Sequence, residues 1–209
     1  MTLELKNLGS FLRGWYQEIA VICFATLFII LHHHHKIENF WLSSFIYFGL
    51  LPILVIAILL RKNPIDFGLR FGNYRFWIPW VVLFLIVAVP ILYFTSDMSS
   101  VQGYYRSHRN FDFLTYAWQI GIYMLGWEFL FRGFMLFGLK DRFKEGSILI
   151  QMIPFVLLHF GKPEIETIST IFTGVLWGWI CYRGNSFWPA FIMHMVVNLS
   201  NKAFVLGLV

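Results

Sequence analysis

Long apolar runs separated by short polar turns fill most of the 209-residue chain. They fall at residues 15–31, 39–60, 76–94, 113–139, 147–160, 165–182 and 187–209. A helix needs about 20 apolar residues to cross a bilayer, and most of these runs meet or approach that length. The first and fifth are short for it. The pattern therefore predicts seven spans, or eight if Lys202 divides the last run. Ahead of them, residues 1–14 set Leu8, Phe11 and Leu12 among polar neighbours, which predicts an amphipathic helix lying in the membrane interface. This segment lacks the basic start, apolar centre and small-residue cleavage site of a signal peptide. With no linker, low-complexity tract or internal repeat, the chain reads as one integral-membrane domain over residues 1–209. The expected fold class is all-α, a polytopic membrane helix bundle.

Composition supports the same setting. Hydrophobic residues make up 58% of the chain and charged residues 13%, and mean hydropathy is +0.67, values outside the range of soluble globular domains. Aromatic residues, 20% of the total, gather at the ends of apolar runs, as in Phe40-Trp41, Phe76-Trp77 and Phe187-Trp188, where interfacial anchors belong. The net charge of +5 does not point to nucleic acid, because the basic residues occupy the turns between spans. With the N-terminus in the cytoplasm, ten of them (Lys6, Arg13, Arg61, Lys62, Arg70, Arg75, Lys140, Arg142, Lys144, Arg183) fall inside and five (Lys36, Arg106, Arg109, Lys162, Lys202) outside. That asymmetry predicts an N-in, C-out orientation. Cys23 and Cys181 both lie in apolar segments far apart, which suggests neither a disulfide nor a cysteine metal site.

Against this background a few polar residues stand out. Glu128 and Arg132 interrupt GIYMLGWEFLFRGFMLFGL, His159 ends MIPFVLLHF, and His194 and Asn198 interrupt WPAFIMHMVVNLS. A charge at the centre of a membrane helix costs about 2.5–3.5 kcal/mol on insertion scales, so such residues face a polar interior and usually carry function. Glu128 and Arg132 are four apart, as are His194 and Asn198, so each pair shares a helix face. Taken singly, the first pair reads as a buried ion pair that merely holds helices together and the second as interhelical hydrogen bonding. At about 1.5 Å per residue, however, Glu128, His159 and His194 come to similar depths, about 10–22 Å from the inner boundary. Three helices then deliver proton-transfer or hydrogen-bonding groups to one level. Gly174 and Gly178, four apart, predict only close helix packing.

The three segments, Glu128-Phe-Leu-Phe-Arg132-Gly133, Phe155-Val-Leu-Leu-His159 and His194-Met-Val-Val-Asn198, resemble in order and spacing the motifs of the CPBP or Abi family of glutamate-type intramembrane proteases. This family includes CAAX prenyl endopeptidases and bacteriocin-processing proteins. The resemblance covers about residues 113–200. It implies an intramembrane endopeptidase that uses neither cofactor nor metal and cleaves a peptide or protein with a membrane-embedded or lipidated segment. Its setting is the lipid bilayer, in a bacterial cytoplasmic membrane. By position, Glu128 and His159 would activate water, His194 and Asn198 would stabilise the oxyanion, and Arg132 would orient the carboxylate. The family pattern has two adjacent glutamates before the arginine, the first usually regarded as catalytic, whereas here Trp127 precedes Glu128. Adjacent helix positions point about 100° apart, so Glu128 does not simply inherit that role. Three outcomes remain: Glu128 itself activates water, another carboxylate replaces the missing one, or the protein is inactive. Glu166 is the best substitute, because the turn His159-Phe-Gly-Lys-Pro-Glu-Ile-Glu166 could return it towards His159. The same His and Glu residues also admit a zinc-site reading, although the chain lacks the H-E-x-x-H pairing. The competing class is an inactive membrane scaffold of the same fold.

Overall fold

The computed structural model describes residues 2–106 and 112–208. Arg109, counted among the outer basic residues, lies outside the described residues. The regular structure among them is helical: α1 (Thr2–Gly14), α2 (Tyr16–His34), α3 (Phe40–Leu59), α4 (Tyr74–Thr95), α5 (Ser99–Tyr105), α6 (Phe113–Phe143), α7 (Gly146–Leu157), α8 (Glu164–Gly184) and α9 (Trp188–Leu206). The protein is a helical membrane bundle. Helices α2, α3, α4 and α6 are each long and apolar enough to cross a membrane, while α7 is apolar but shorter. Each of the seven apolar runs contains a helix. α9 continues without a break through Lys202, so that residue does not divide the last run.

Sequence signals mark the helix ends. Asp112 caps α6 by accepting the Thr115 N–H at 2.9 Å, and Asn73 caps α4 by accepting from Phe76. α8 follows Pro163, carries Glu164 and Glu166 in its first turn where the helix dipole favours acids, and stops at Asn185 in the left-handed conformation. α9 stops at Gly207, also left-handed.

Burial separates the lipid-facing helices from the central one. Within the most apolar stretch of α4 only 6% of residues are buried, against 78% in α6. α4 presents Ile86, Val87, Ile91 and Phe94 outwards, as lipid requires. α6 runs through the middle of the bundle, packed by α3, α2, α7 and α9. Small residues permit the closest approaches. A Cβ on Gly126 of α6 would overlap the backbone of Ser44 in α3, where Ser44 Oγ also donates to the Tyr123 carbonyl at 2.8 Å. On α8, Gly174 and Gly178 sit against Met152 and Gln151 of α7. The small-xxx-small spacing thus has the packing role expected of it. α1 ends at Gly14, whose carbonyl accepts from Arg142 at the end of α6, and leaves Leu8, Phe11 and Leu12 exposed.

Two helices depart from regular α geometry. α3 contains π-helical turns at Phe45–Leu50 and Val55–Leu59, and α6 contains one at Phe129–Met135, directly after Glu128. π turns widen the helix and recur at functional sites. The one in α6 covers Phe-Leu-Phe-Arg-Gly, the polar motif itself. α7 stops at Leu157, earlier than its apolar run predicts, where the ladder tightens into turns with the His159 N–H on the Val156 carbonyl and the Phe160 N–H on the Leu157 carbonyl. His159 therefore sits in a turn just beyond the helix rather than within it.

Candidate active site

A cavity of about 1030 Å³ opens among α2, α3, α5, α6, α9 and the turn that follows α7. His159, His194 and Asn198 line it, together with Trp127, Met124 and Tyr123 from α6. Each of the three polar side chains is nine-tenths buried or more, at 3%, 5% and 6% exposure. Each is also held from behind by a partner that decides which of its atoms faces the cavity.

His159 Nδ1 lies 2.7 Å from the Phe155 carbonyl, one of the last carbonyls of α7, which a helix end leaves without a backbone partner. The carbonyl can only accept, so Nδ1 carries the proton and Nε2 is the lone-pair nitrogen in the neutral ring. The backbone of His159 is fixed as well, because Thr167 Oγ1 of α8 donates to its carbonyl at 2.8 Å. Its ring packs on Phe155, with centroids 4.5 Å apart, and lies edge-on to Trp127 at 5.8 Å.

His194 Nδ1 lies 2.5 Å from Glu128 Oε1. Glu128 is completely buried, and Arg132 Nη1 pairs with its Oε2 at 3.0 Å. Arg132, also completely buried, stacks its guanidinium 3.8 Å from the centre of the Phe155 ring, a cation–π contact that offsets part of its desolvation. Removing one member of such a pair would leave the other charge uncompensated, at a cost of about 3–5 kcal/mol. The expected i,i+4 pairing of Glu128 and Arg132 is thus present, and the carboxylate lies behind His194 while Trp127 occupies the cavity wall. The two imidazoles face each other with centroids 6.1 Å apart and planes 26° from parallel.

Asn198 is held by Tyr116, whose hydroxyl donates to the amide oxygen. The amide nitrogen is thereby turned to donate elsewhere. Tyr116 is a residue the sequence reading missed. A tyrosine near the start of an apolar helix looks like an interfacial anchor, and only the fold shows its hydroxyl reaching α9.

Glu166 occupies a different position from these. Lys162 Nζ donates to its Oε1 at 2.5 Å, and the Tyr105 hydroxyl bonds both carboxylate oxygens at 3.1 and 2.9 Å. The Gly/Pro turn brings the start of α8 back to His159, where the residue that bonds its carbonyl is Thr167 and not Glu166. Burial alone would lower the Lys162 ammonium. Tyr105, Glu166 and Tyr104 outweigh it and hold the pKa well above the ordinary lysine value. Burial raises the Tyr105 hydroxyl, and the positive charge of Lys162 only partly opposes this. Lys162 therefore stays charged and Tyr105 neutral across the physiological range, so the three residues form a fixed strut beside the cavity. Among the described residues, no three His, Cys, Asp or Glu side chains converge as a metal-binding group.

Taken together, the site holds a proton acceptor at His159, hydrogen-bond donors at Asn198, and an imidazole at His194 backed by a carboxylate. No curated protein and no solved structure matches the chain. Residues 109–200 match the family model described as Type II CAAX prenyl endopeptidase Rce1-like. That segment contains all three polar motifs and Glu166, and its match supports the resemblance of this part of the chain to the CPBP/CAAX protease family.

Proposed function

We propose that the protein is a metal-independent intramembrane endopeptidase that hydrolyses a peptide bond in a membrane-associated or lipidated substrate. The observation that supports this most is the convergence of His159, His194 and Asn198 on one cavity, each oriented from behind by a separate partner. A volume of about 1030 Å³ suits a short peptide with an attached apolar group. In this reading the whole chain acts as one domain.

The chemistry follows from the fixed atoms. Water between the imidazoles gives its proton to His159 Nε2 as its oxygen attacks the scissile carbonyl carbon. The carbonyl becomes an oxyanion that accepts hydrogen bonds from Asn198 Nδ2 and from His194 Nε2–H, whose ring shares the proton at Nδ1 with Glu128 Oε1 2.5 Å away. Collapse breaks the C–N bond, and the proton on His159 passes to the departing amine, leaving a carboxyl product and a free amine. In this scheme Glu128 and Arg132 position His194, and Glu166 steadies the turn that carries His159.

The charge asymmetry of the turns supports an N-in orientation in a bacterial cytoplasmic membrane. The residues at the cavity rim, Lys36, Glu38, Asp112 and Lys162, then all belong to outer segments. The cavity accordingly opens away from the cytoplasm.

The test is cleavage of lipidated and transmembrane peptides by the purified protein in liposomes, with and without chelator. The wild type should cleave with chelator present, and His159→Ala and Asn198→Ala should lose at least about 100-fold in kcat. Binding without cleavage by any preparation would support the scaffold reading instead, and loss of activity with chelator would support the zinc reading.

A further inference from the structure

We infer that the indole of Trp127 stabilises the protonated ring of His159, a cation–π support where a carboxylate partner is lacking. Its use in the reaction rests on the endopeptidase reading, and it makes Trp127 a positioning residue that acts through His159.

An imidazole that takes a proton from water becomes a cation, and a buried cation is costly unless something nearby favours it. His159 is 3% exposed, and among the described residues no carboxylate bonds it. Glu128 is held by Arg132 and His194, and Glu166 by Lys162 and Tyr105. The other charged or titratable groups that bear on the ring are Lys162 in its own turn, Arg132 on α6 and His194 on α9. Each of them, when charged, repels a positive His159. What remains beside the imidazole is aromatic.

Phe155 is the nearer ring, with centroids 4.5 Å apart, but it already carries the Arg132 guanidinium 3.8 Å from its centre. Trp127 lies 5.8 Å from His159 with its plane 86° away, inside the distance of about 6 Å over which an aromatic face attracts a cation. His159 turns a face towards His194, the two planes lying 26° from parallel, so its edge is what meets the near-perpendicular indole. The positive N–H and C–H dipoles of an imidazolium point outwards along that edge. Indole is the best aromatic partner for them, and the attraction is larger where water is excluded. Trp127 is also fixed in place, stacked on Tyr123 at 5.4 Å and packed against Phe48 and Phe131 at 5.6 and 5.7 Å. It is 7% exposed, with its free margin on the cavity.

The experiment places mono-, di- and trifluorinated tryptophan at position 127 alone of the full-length protein, which withdraws π density while keeping the shape of the ring. A smaller residue there would open the packed wall and confound the result. With ring-labelled histidine, an NMR titration in detergent follows the apparent pKa of His159, whose resonance is the one lost in His159→Ala. The pKa should fall stepwise with each added fluorine, by about 0.4–1.5 units in all. His194, which meets Trp177 at 5.4 Å, should move less. The acid limb of kcat/KM for cleavage of a lipidated peptide should shift to lower pH by the same amount as His159. A pKa that stays flat or rises across the series overturns the inference, as does an equal shift of both histidines. A fall that the acid limb does not follow removes the contact from the reaction. A stepwise fall with no cleavage by any preparation keeps the contact and removes the endopeptidase reading, so the two failures are distinguishable.

Discussion

A side chain in the membrane interior is useful for hydrolysis only when the right atom faces the substrate, and here the atoms behind each residue make that choice. The Phe155 carbonyl leaves His159 Nε2 as acceptor, Glu128 holds His194 Nδ1, and Tyr116 holds the oxygen of Asn198. The Tyr116 contact yields a specific expectation. Tyr116→Phe keeps the ring and its packing but frees the amide to rotate, and should lower kcat by about 10-fold with little change in KM, since an oxyanion donor acts in the transition state. An equal rise in KM with kcat unchanged would mean that Tyr116 serves substrate binding instead. Motif spacing in the sequence reveals Glu128, Arg132, His159, His194 and Asn198, because charged and amide groups conflict with lipid. Tyr116 gives no such signal, since tyrosine is at home in a membrane interface. Lys202 was legible only as a possible break in a span.

At the scale of the elements, two contacts hold the site's frame. α6 and α3 meet where Gly126 passes the Ser44 backbone. A methyl group there has no flexible side chain to displace, so Gly126→Ala should destabilise the protein by about 1–3 kcal/mol, seen as a lower Tm in detergent. An unchanged Tm would show that the helices part without cost. The second contact is the strut of Lys162, Glu166 and Tyr105. Because the pKa of Lys162 is raised in the folded protein, its contribution is fully present below the unfolded lysine value of about 10.4 and is lost as pH rises through the folded value. Tm should therefore show no Lys162-dependent change between about pH 6 and 9, and the difference between wild type and Lys162→Met should shrink only in more alkaline solution. A difference that disappears near neutral pH contradicts the strut. Hydrophobic patterning placed a helix in each of the seven apolar runs, and only the detailed ends moved. The early stop of α7 and the π turns of α3 and α6 escaped it, since both depend on how neighbouring helices use the backbone rather than on apolar period.

For the whole molecule, a lipid-facing shell surrounds one strongly buried helix, α6, which carries Glu128, Arg132 and Tyr116 and forms one wall of the cavity. The N-in orientation predicts that single cysteines at the Lys36 and Lys162 positions, in a cysteine-free background, react with an impermeant reagent added outside cells. A cysteine at Lys144 should react only after permeabilisation, and the opposite pattern would reverse the cavity's opening. The central claim is that His159, rather than the buried Glu128, accepts the proton of the attacking water. It is tested most directly by single-turnover cleavage of a lipidated peptide in liposomes by wild type, His159→Ala and Glu128→Gln. The account predicts that His159→Ala abolishes the chemical step while substrate still binds, and that Glu128→Gln, which keeps the shape beside His194, retains a measurable slow cleavage. Full activity of His159→Ala, or complete loss in Glu128→Gln with His159 intact, would contradict it.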